Sequence, residues 1–261
     1  MEMLAVKRVL KRFFRVCGLE VRRLRGSNSD HQVLKDVLRA SGAEVILDIG
    51  ANLGQFALLA FEVGFRGSVV SFEAQPEVHR ALMARAAARS GPGKWIVAPC
   101  SALGSASGTV EMNISENSLS SSLLPMKREH AEAAPSSRYI CKKQVKLERL
   151  DDAAARVVPA DASLFMKIDT QGYEREVLDG ASGILGRTVA IQVELSLVSL
   201  YEHAPSLVEM VTYLEDRGFQ MFGLVPVFRD DRDGRLLQVD GIFIRSRPDD
   251  AARQREHGDG E

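Results

Sequence analysis

Apolar residues along this chain fall into short runs separated by stretches with helical spacing. Strand-like runs occupy 45–49, 68–72, 94–98, 164–168 and 189–195, and the spacing between them predicts helices over 55–63, 76–90 and 173–185. Pro76 suits the first turn of its helix, where its missing N–H has no partner to lose, and Gly91-Pro92-Gly93 ends it. One more helix follows Pro205 to about Arg217, then two strands over 219–225 and 239–245, joined across a turn at Asp233-Gly234. Strands alternating with helices predict an α/β fold, a mostly parallel doubly wound sheet with an antiparallel C-terminal hairpin.

Two stretches depart from this alternation. Residues 113–138 contain Ser, Asn and Pro and include Ser118-Leu119-Ser120-Ser121-Ser122, so they read either as a surface insertion or as a loop over the site. Residues 1–26 carry eight bases and two acids, a charge of +6, which leaves −7 for the rest of a chain whose net charge is −1. Leu4, Val6, Val9, Leu10, Phe13, Phe14 and Val16 fall at mostly helical spacing. Residues 3–16 therefore read as a basic amphipathic helix, which either lies on an anionic membrane surface or caps the domain with its bases in solvent. The organisation that follows is a basic helical extension over 1–43, one domain over 44–247 and a polar tail over 248–261.

Composition narrows the class. The 261 residues are 45% hydrophobic and 26% charged, which suits one large α/β domain. Lys plus Arg total 34 against 35 for Asp plus Glu, a balance that argues against a dedicated nucleic-acid binder. No stretch is apolar enough to span a membrane, and the start lacks the features of a signal peptide, so a cytoplasmic protein is expected. Cys17, Cys100 and Cys141 are far apart and odd in number, which suggests neither a disulfide framework nor a zinc site.

The most informative segment is Val45-Ile46-Leu47-Asp48-Ile49-Gly50-Ala51-Asn52-Leu53-Gly54-Gln55-Phe56, a strand that runs into a glycine turn and then a helix. That geometry puts a ligand at the carboxyl edge of a parallel sheet. Gly50 would let the backbone approach the ligand, and Gly54 would ease the passage into the helix. A dinucleotide fingerprint needs a middle glycine where this chain has Asn52, and Asp48 ahead of the turn is awkward for a pyrophosphate. The same acid suits a ligand with ammonium and sulfonium groups and no phosphate, such as S-adenosylmethionine. Glu73 ends the second strand, where a carboxylate can accept bonds from both ribose hydroxyls; the alternative is a first-turn acid favouring the helix dipole.

The segments ILDIGANLGQF, SFEAQP, ALGSASGTV, SLSSSLLP, KIDTQGYEREVLDGA and LLQVDGIFIR together resemble the FkbM family of S-adenosylmethionine-dependent methyltransferases, over about 44–245. The run KIDxQGxExxVLxGA is the most specific element. One departure is that Ala74-Gln75 separate Glu73 from Pro76, where the family usually has the acid next to the proline. The resemblance implies a Rossmann-like class I methyltransferase fold, S-adenosyl-L-methionine as cofactor and O-methylation of a sugar or other natural-product hydroxyl. Carried over, Asp48, Gly50, Asn52 and Gly54 line the methionine end, Glu73 holds the ribose, and Ser101, Ala102 and Leu103 sit near the adenine or form an ordinary turn.

Methyl transfer to an alcohol benefits from a positioned base. Asp169, at the end of the fourth predicted parallel strand, is the best-placed carboxylate and also a cofactor-side residue. Glu174, one helical turn on, could join its network or simply stabilise a helix start. Lys167 is read as pointing to the opposite face from Asp169 only if the strand is regular to that point. Asp169 and Glu194 could together offer a divalent ion hard oxygen ligands, but two carboxylates are a thin case and no metal site is assigned. His130 and His203 are further candidate bases, with His203 the one carried as a catalytic residue; His79 and His31 read as structural. No Ser-His-Asp order supports hydrolysis. Two other readings stay open: a non-catalytic S-adenosylmethionine-binding or scaffold protein, and an NAD-linked oxidoreductase. The expected partners are a small-molecule or glycan hydroxyl acceptor and, through residues 1–26, a membrane surface, but no nucleic acid.

Overall fold

The computed structural model describes residues 30–246. The basic segment 3–16, Cys17 and the tail from 248 lie outside them. Helix α1 (Asp30–Ser41) leads into β1 (Val45–Ile49), α2 (Gln55–Glu62), β2 (Ser68–Phe72), α3 (Pro76–Ala88) and β3 (Lys94–Val97). Then come β4 (Ala102–Gly104), β5 (Gly108–Ser115), α4 (Arg128–Ala133) and β6 (Tyr139–Arg149). The chain continues through α5 (Leu150–Ala155), β7 (Leu164–Ile168), α6 (Glu174–Asp179), β8 (Thr188–Ser196), α7 (Leu207–Glu215), β9 (Phe219–Arg229) and β10 (Leu236–Arg245).

Seven strands form one sheet in the order β3-β2-β1-β7-β8-β10-β9, with β10 antiparallel to both of its neighbours. The fold is thus the expected class I methyltransferase arrangement, a mostly parallel sheet closed by an antiparallel hairpin. At the hairpin tip the Gly234 N–H donates to the Asp230 carbonyl over 2.8 Å, and Gly234 has φ 77°.

Period-two alternation assigns the faces. Leu47, Ile49, Val70, Phe72, Met166, Ile168 and Val193 pack against Leu150, Val177, Leu178 and Leu214 from α5, α6 and α7. Ile46, Val69, Phe165 and Ala190 face the other way, onto Leu34 and Val37 of α1 and Ala57 and Ala60 of α2. Burial on both faces is why these strands read as continuous apolar runs. The helical extension expected before residue 44 contains α1, and its two buried side chains carry the core back past that boundary. Among the described residues no helix is long and apolar enough to cross a membrane, and Cys100 and Cys141 are free thiols.

The pattern missed a second sheet, β4-β6-β5. Strand β6 reads YICKKQVKLER and buries little besides Val145 and Glu148, so it lacks the apolar stripe that announces a core strand. Pairs such as Lys142 Nζ to Glu111 Oε1 (2.7 Å) lie on its solvent side. The predicted helix over 173–185 also stops early, at Asp179. Gly180 packs so closely on the backbone of Gly104 that a Cβ there would stand 1.9 Å from the Gly104 carbonyl oxygen.

Candidate active site

A cavity of about 380 Å³ lies over the carboxyl ends of β1, β2 and β7, where the strand order reverses. The turn after β1 is held by its own backbone. Gly50 and Ala51 donate to the Phe72 carbonyl (3.1 and 3.0 Å), and Gly54 donates to the Ala51 carbonyl (2.7 Å). The Asn52 N–H donates to Glu73 Oε2 (2.8 Å) and the Leu53 N–H to Asn52 Oδ1 (2.9 Å). All five amides of the turn therefore have acceptors inside the protein, and no nest of N–H groups is left for a pyrophosphate.

Three positions in this turn differ from their expected roles. Gly50 has φ 74°, and a Cβ on it would stand 1.8 Å from the Asp169 carbonyl oxygen. Its lack of a side chain is required by the turn after β7 rather than by a ligand, although Gly50 does line the cavity. Gly54, in the left-handed conformation that starts α2, lies behind the wall, its Cβ position 2.3 Å from the Trp95 ring. Asp48 is fully buried and also outside the lining; Ser71 Oγ donates to its Oδ2 over 3.0 Å. Burial raises its pKa, with Lys167 and Ser71 opposing.

Glu73 lines the cavity, with one oxygen accepting from Asn52 and the other from the Gln75 N–H (2.8 Å). Burial pushes its pKa up against those bonds. Each carboxylate oxygen keeps a further lone pair for a ligand. The two residues between Glu73 and Pro76 do not displace α3, which starts at Pro76 with Gln75 as its cap. Instead Gln75 reaches the serine-rich loop, donating from Nε2 to the Ser118 carbonyl (3.0 Å) and accepting at Oε1 from Ser121 Oγ (3.2 Å). The loop over 118–123 is thereby a wall of the cavity, as one of its two readings held. Ser101, Ala102 and Leu103 line the same end with Met112 and Leu123. Asn52 joins it too, its Nδ2 donating to Ser118 Oγ over 3.2 Å.

The opposite end is polar. Asp169, 34% exposed, meets Lys167 Nζ at 3.1 Å through Oδ2, and Gln171 Nε2 donates to its Oδ1 over 2.7 Å. Lys167 therefore shares a face with Asp169, against expectation, because a separation of two residues returns a strand to the same side. Burial works to lower the Lys167 pKa, but pairing with Asp169, Asp48 and Asp240 outweighs it and the net shift is upward. Gln192 and Asp240 complete this wall, with Gln192 Nε2 donating to Asp240 Oδ2 over 2.8 Å.

Glu174 does not line the cavity. Its Oε1 accepts from the Thr170 N–H (2.9 Å), the Gly172 N–H (3.1 Å) and Thr170 Oγ1 (3.2 Å), so it fixes the turn that carries Asp169 and Gln171. Burial drives its pKa up to about 7 against the backbone donors. Glu194 is held well above the carboxylate range by burial and by the charges of Asp169, Glu174 and Asp240. Gln171 Nε2 bridges Asp169 and Glu194 (2.7 and 3.0 Å), so an amide occupies the space between the two carboxylates considered for a cation. Among the described residues no group of three or more His, Cys, Asp or Glu is arranged to hold a metal.

The histidines lie elsewhere. His203 is exposed, has φ 61° and lines no part of the cavity. His130 is buried edge-on to Tyr201, with its pKa lowered to about 4 by burial. His79 Nε2 bonds the Ala98 carbonyl over 2.7 Å. Sequence reasoning missed Lys167, Gln192 and Asp240 as site residues. The signal was present as polar side chains inside apolar strands, but strand register was needed to bring them together.

Residues 48–221 match the methyltransferase FkbM domain family. No curated protein matches the chain. Among solved structures, the chain is similar to precorrin-6y C5,15-methyltransferase from Geobacter metallireducens, with 15% identity over 83% of this chain and 87% of that one and a TM-score of 0.43. It is also similar to an rRNA methylase from Streptococcus thermophilus, with 10% identity over 87% and 99% of the two chains and a TM-score of 0.45.

Proposed function

The chain belongs to the FkbM methyltransferase family, and from that premise we propose that it methylates a hydroxyl on the sugar moiety of a glycolipid, glycan or natural product. S-adenosylmethionine is the cofactor, and the cavity suits it. Glu73 offers two oxygens to a ribose beside the apolar group Ala102, Leu103 and Met112, and the far end is rich in carboxylates that favour a cation. When bound, the cofactor supplies an electrophilic methyl group on a sulfonium. The protein's part is to hold the acceptor oxygen in line and to accept its proton.

One observation carries the reading: Asp169 is a carboxylate on the cavity wall whose two oxygens are oriented by Lys167 and Gln171. Asp169 accepts the hydroxyl proton as the oxygen attacks. Glu174 acts through it as a positioning residue, by fixing the turn after β7. The acceptor is a small molecule or glycan and not a nucleic acid, consistent with a chain that carries no basic excess.

The reaction is placed in the cytoplasm, with residues 1–26 docking on an anionic membrane surface. Supporting this, that +6 segment ends four residues before Asp30 in the sequence, and Asp30 is a residue of the cavity wall. Vesicle flotation with and without residues 1–26 tests the docking, and unchanged partitioning contradicts it. Methyl-labelled S-adenosylmethionine offered with a panel of glycosylated acceptors tests the chemistry. The expected product is an alkali-stable methyl ether, and Asp169→Asn lowers kcat by about 10²- to 10⁴-fold. Label on nitrogen or in an alkali-labile ester contradicts the O-methyl reading. Biological output that survives Asp169→Asn favours a scaffold role.

A further inference from the structure

Asp169 is held by Gln171, and Gln171 is in turn held from outside the cavity. The backbone of Gln171 is left-handed, with φ 57°, and its carbonyl oxygen accepts from Ser122 Oγ over 2.7 Å. Its Nε2 donates to Asp169 Oδ1 and Glu194 Oε2, over 2.7 and 3.0 Å. Its Oε1 accepts from the Tyr201 hydroxyl over 2.7 Å. Glu194 Oε2 accepts a second bond, from Gln238 Nε2 over 2.7 Å.

Tyr201 lies between β8 and α7, fully buried and outside the cavity lining. The segment over 113–138 holds it there. The Lys127 N–H donates to the Leu200 carbonyl (2.8 Å) and the Glu202 N–H to the Pro125 carbonyl (2.9 Å), and Met126 bridges to Tyr201. His130 of α4 meets the Tyr201 ring edge-on, with centroids 5.1 Å apart. Gly172, at φ 100°, leaves the ring its seat, since a Cβ there would stand 3.0 Å from the Tyr201 Cβ. The hydroxyl also lies 3.4 Å from the Ser120 carbonyl, but its one proton favours the shorter bond to Gln171. Burial and the charge of Glu194 push the Tyr201 pKa upward, so the hydroxyl stays a donor.

We infer that Tyr201 is a positioning residue for methyl transfer: its hydroxyl fixes the Gln171 amide with the nitrogen toward Asp169, and so aims Asp169 at the acceptor's proton. The inference rests on Asp169 being the base. An amide has a donor end and an acceptor end, and Asp169 and Glu194 both present acceptor oxygens to it. Turned over, it would set its oxygen against the Asp169 carboxylate and its NH2 group against the Tyr201 hydroxyl. Without that hydroxyl, Oε1 is left with no donor, and any rotation that finds one takes Nε2 away from Asp169. Asp169 then keeps Lys167 alone of its two partners, and a carboxylate free to turn is a poorer base.

Tyr201→Phe removes the hydroxyl and keeps the ring against His130, and Gln171→Met removes the amide through which it acts. Both single variants, the double variant and Asp169→Asn are compared by steady-state transfer from methyl-labelled S-adenosylmethionine to the panel of glycosylated acceptors. Thermal unfolding and calorimetric S-adenosylhomocysteine binding are recorded for each. Tyr201→Phe is expected to lower kcat about tenfold, with acceptor KM and S-adenosylhomocysteine affinity within about twofold of wild type. The double variant is expected to match Gln171→Met within about twofold, because the hydroxyl has nothing left to orient. Unchanged kcat in Tyr201→Phe, or losses that multiply in the double variant, overturns the inference while leaving Asp169 as the base. Turnover that survives Asp169→Asn, or wild-type protein that methylates no acceptor, overturns the reading of Asp169 itself, and the inference with it.

Discussion

The two ends of the cavity are built by different means. The adenosine end combines Glu73, just past the end of β2, with Ala102 and Leu103 of β4 and Met112 of β5, outside the seven-stranded sheet. The polar end, with Lys167, Gln192 and Asp240, comes from side chains within three neighbouring strands, with Lys167 abreast of Gln192 and Asp240 abreast of Glu194. An end built outside the main sheet can change residue by residue with little effect on that sheet's core. A strand-built end cannot, because each polar group there is tied to the packing beneath it. The contrast predicts that substitutions in the frame and at the polar end disturb stability and its pH dependence, while those at the adenosine end act mainly on ligand affinity.

The largest expected effect is at the joint between the two ends. Gly50→Ala puts a Cβ into the Asp169 carbonyl and into a left-handed backbone at φ 74°, so a stability loss of at least about 4 kcal/mol is expected from urea unfolding. A milder loss would mean that the turns after β1 and β7 can separate.

Next in size is the pH dependence set by Glu174. Its folded pKa, about 7, lies above the ordinary value of 4.5, so the folded state keeps a proton that the unfolded chain releases. Stability contributed by the neutral carboxyl is full below pH 4.5 and is lost as pH rises towards 7, by about 3 kcal/mol. Glu174→Gln keeps an acceptor for Thr170 and Gly172 and should flatten that part of the stability-versus-pH curve. An unchanged slope would assign the effect to other groups.

At the adenosine end, Glu73→Ala is expected to weaken S-adenosylhomocysteine by about 10²-fold, through the lost bonds to the ribose hydroxyls and the loss of the acceptor for the Asn52 and Gln75 N–H groups. A much smaller loss would place the ribose elsewhere. The smallest effect is at His203, outside the lining. His203→Asn tolerates its left-handed backbone and should leave kcat within about twofold, as a steady-state assay would record.

The same contrast explains what could be read from the sequence. Glu73 and Asn52 were legible from a strand and turn local in the chain, and Ser101, Ala102 and Leu103 through the family resemblance; all five line the cavity. Asp169 was legible because it ends a strong apolar run. Asp48 was assigned to the methionine end from its charge and the family resemblance, and the structure buries it outside the cavity lining, behind Lys167. Gln192 and Asp240 were silent because each is one polar residue in an apolar strand, and their meeting over a separation of 48 residues depends on β10 pairing with β8. The β4-β6-β5 sheet was silent for a related reason, since a strand with one wet face and few buried side chains leaves little periodic signal.

A crystal structure with S-adenosylhomocysteine bound tests the central claim, that the cavity has an adenosine end and an amino-acid end, most directly. The account predicts ribose hydroxyls on Glu73, adenine against Leu103 and Met112, and the amino-acid group at the carboxylate-rich end of the cavity, beside Asp169. Adenine in the polar lobe, or a ligand outside this cavity, would contradict it.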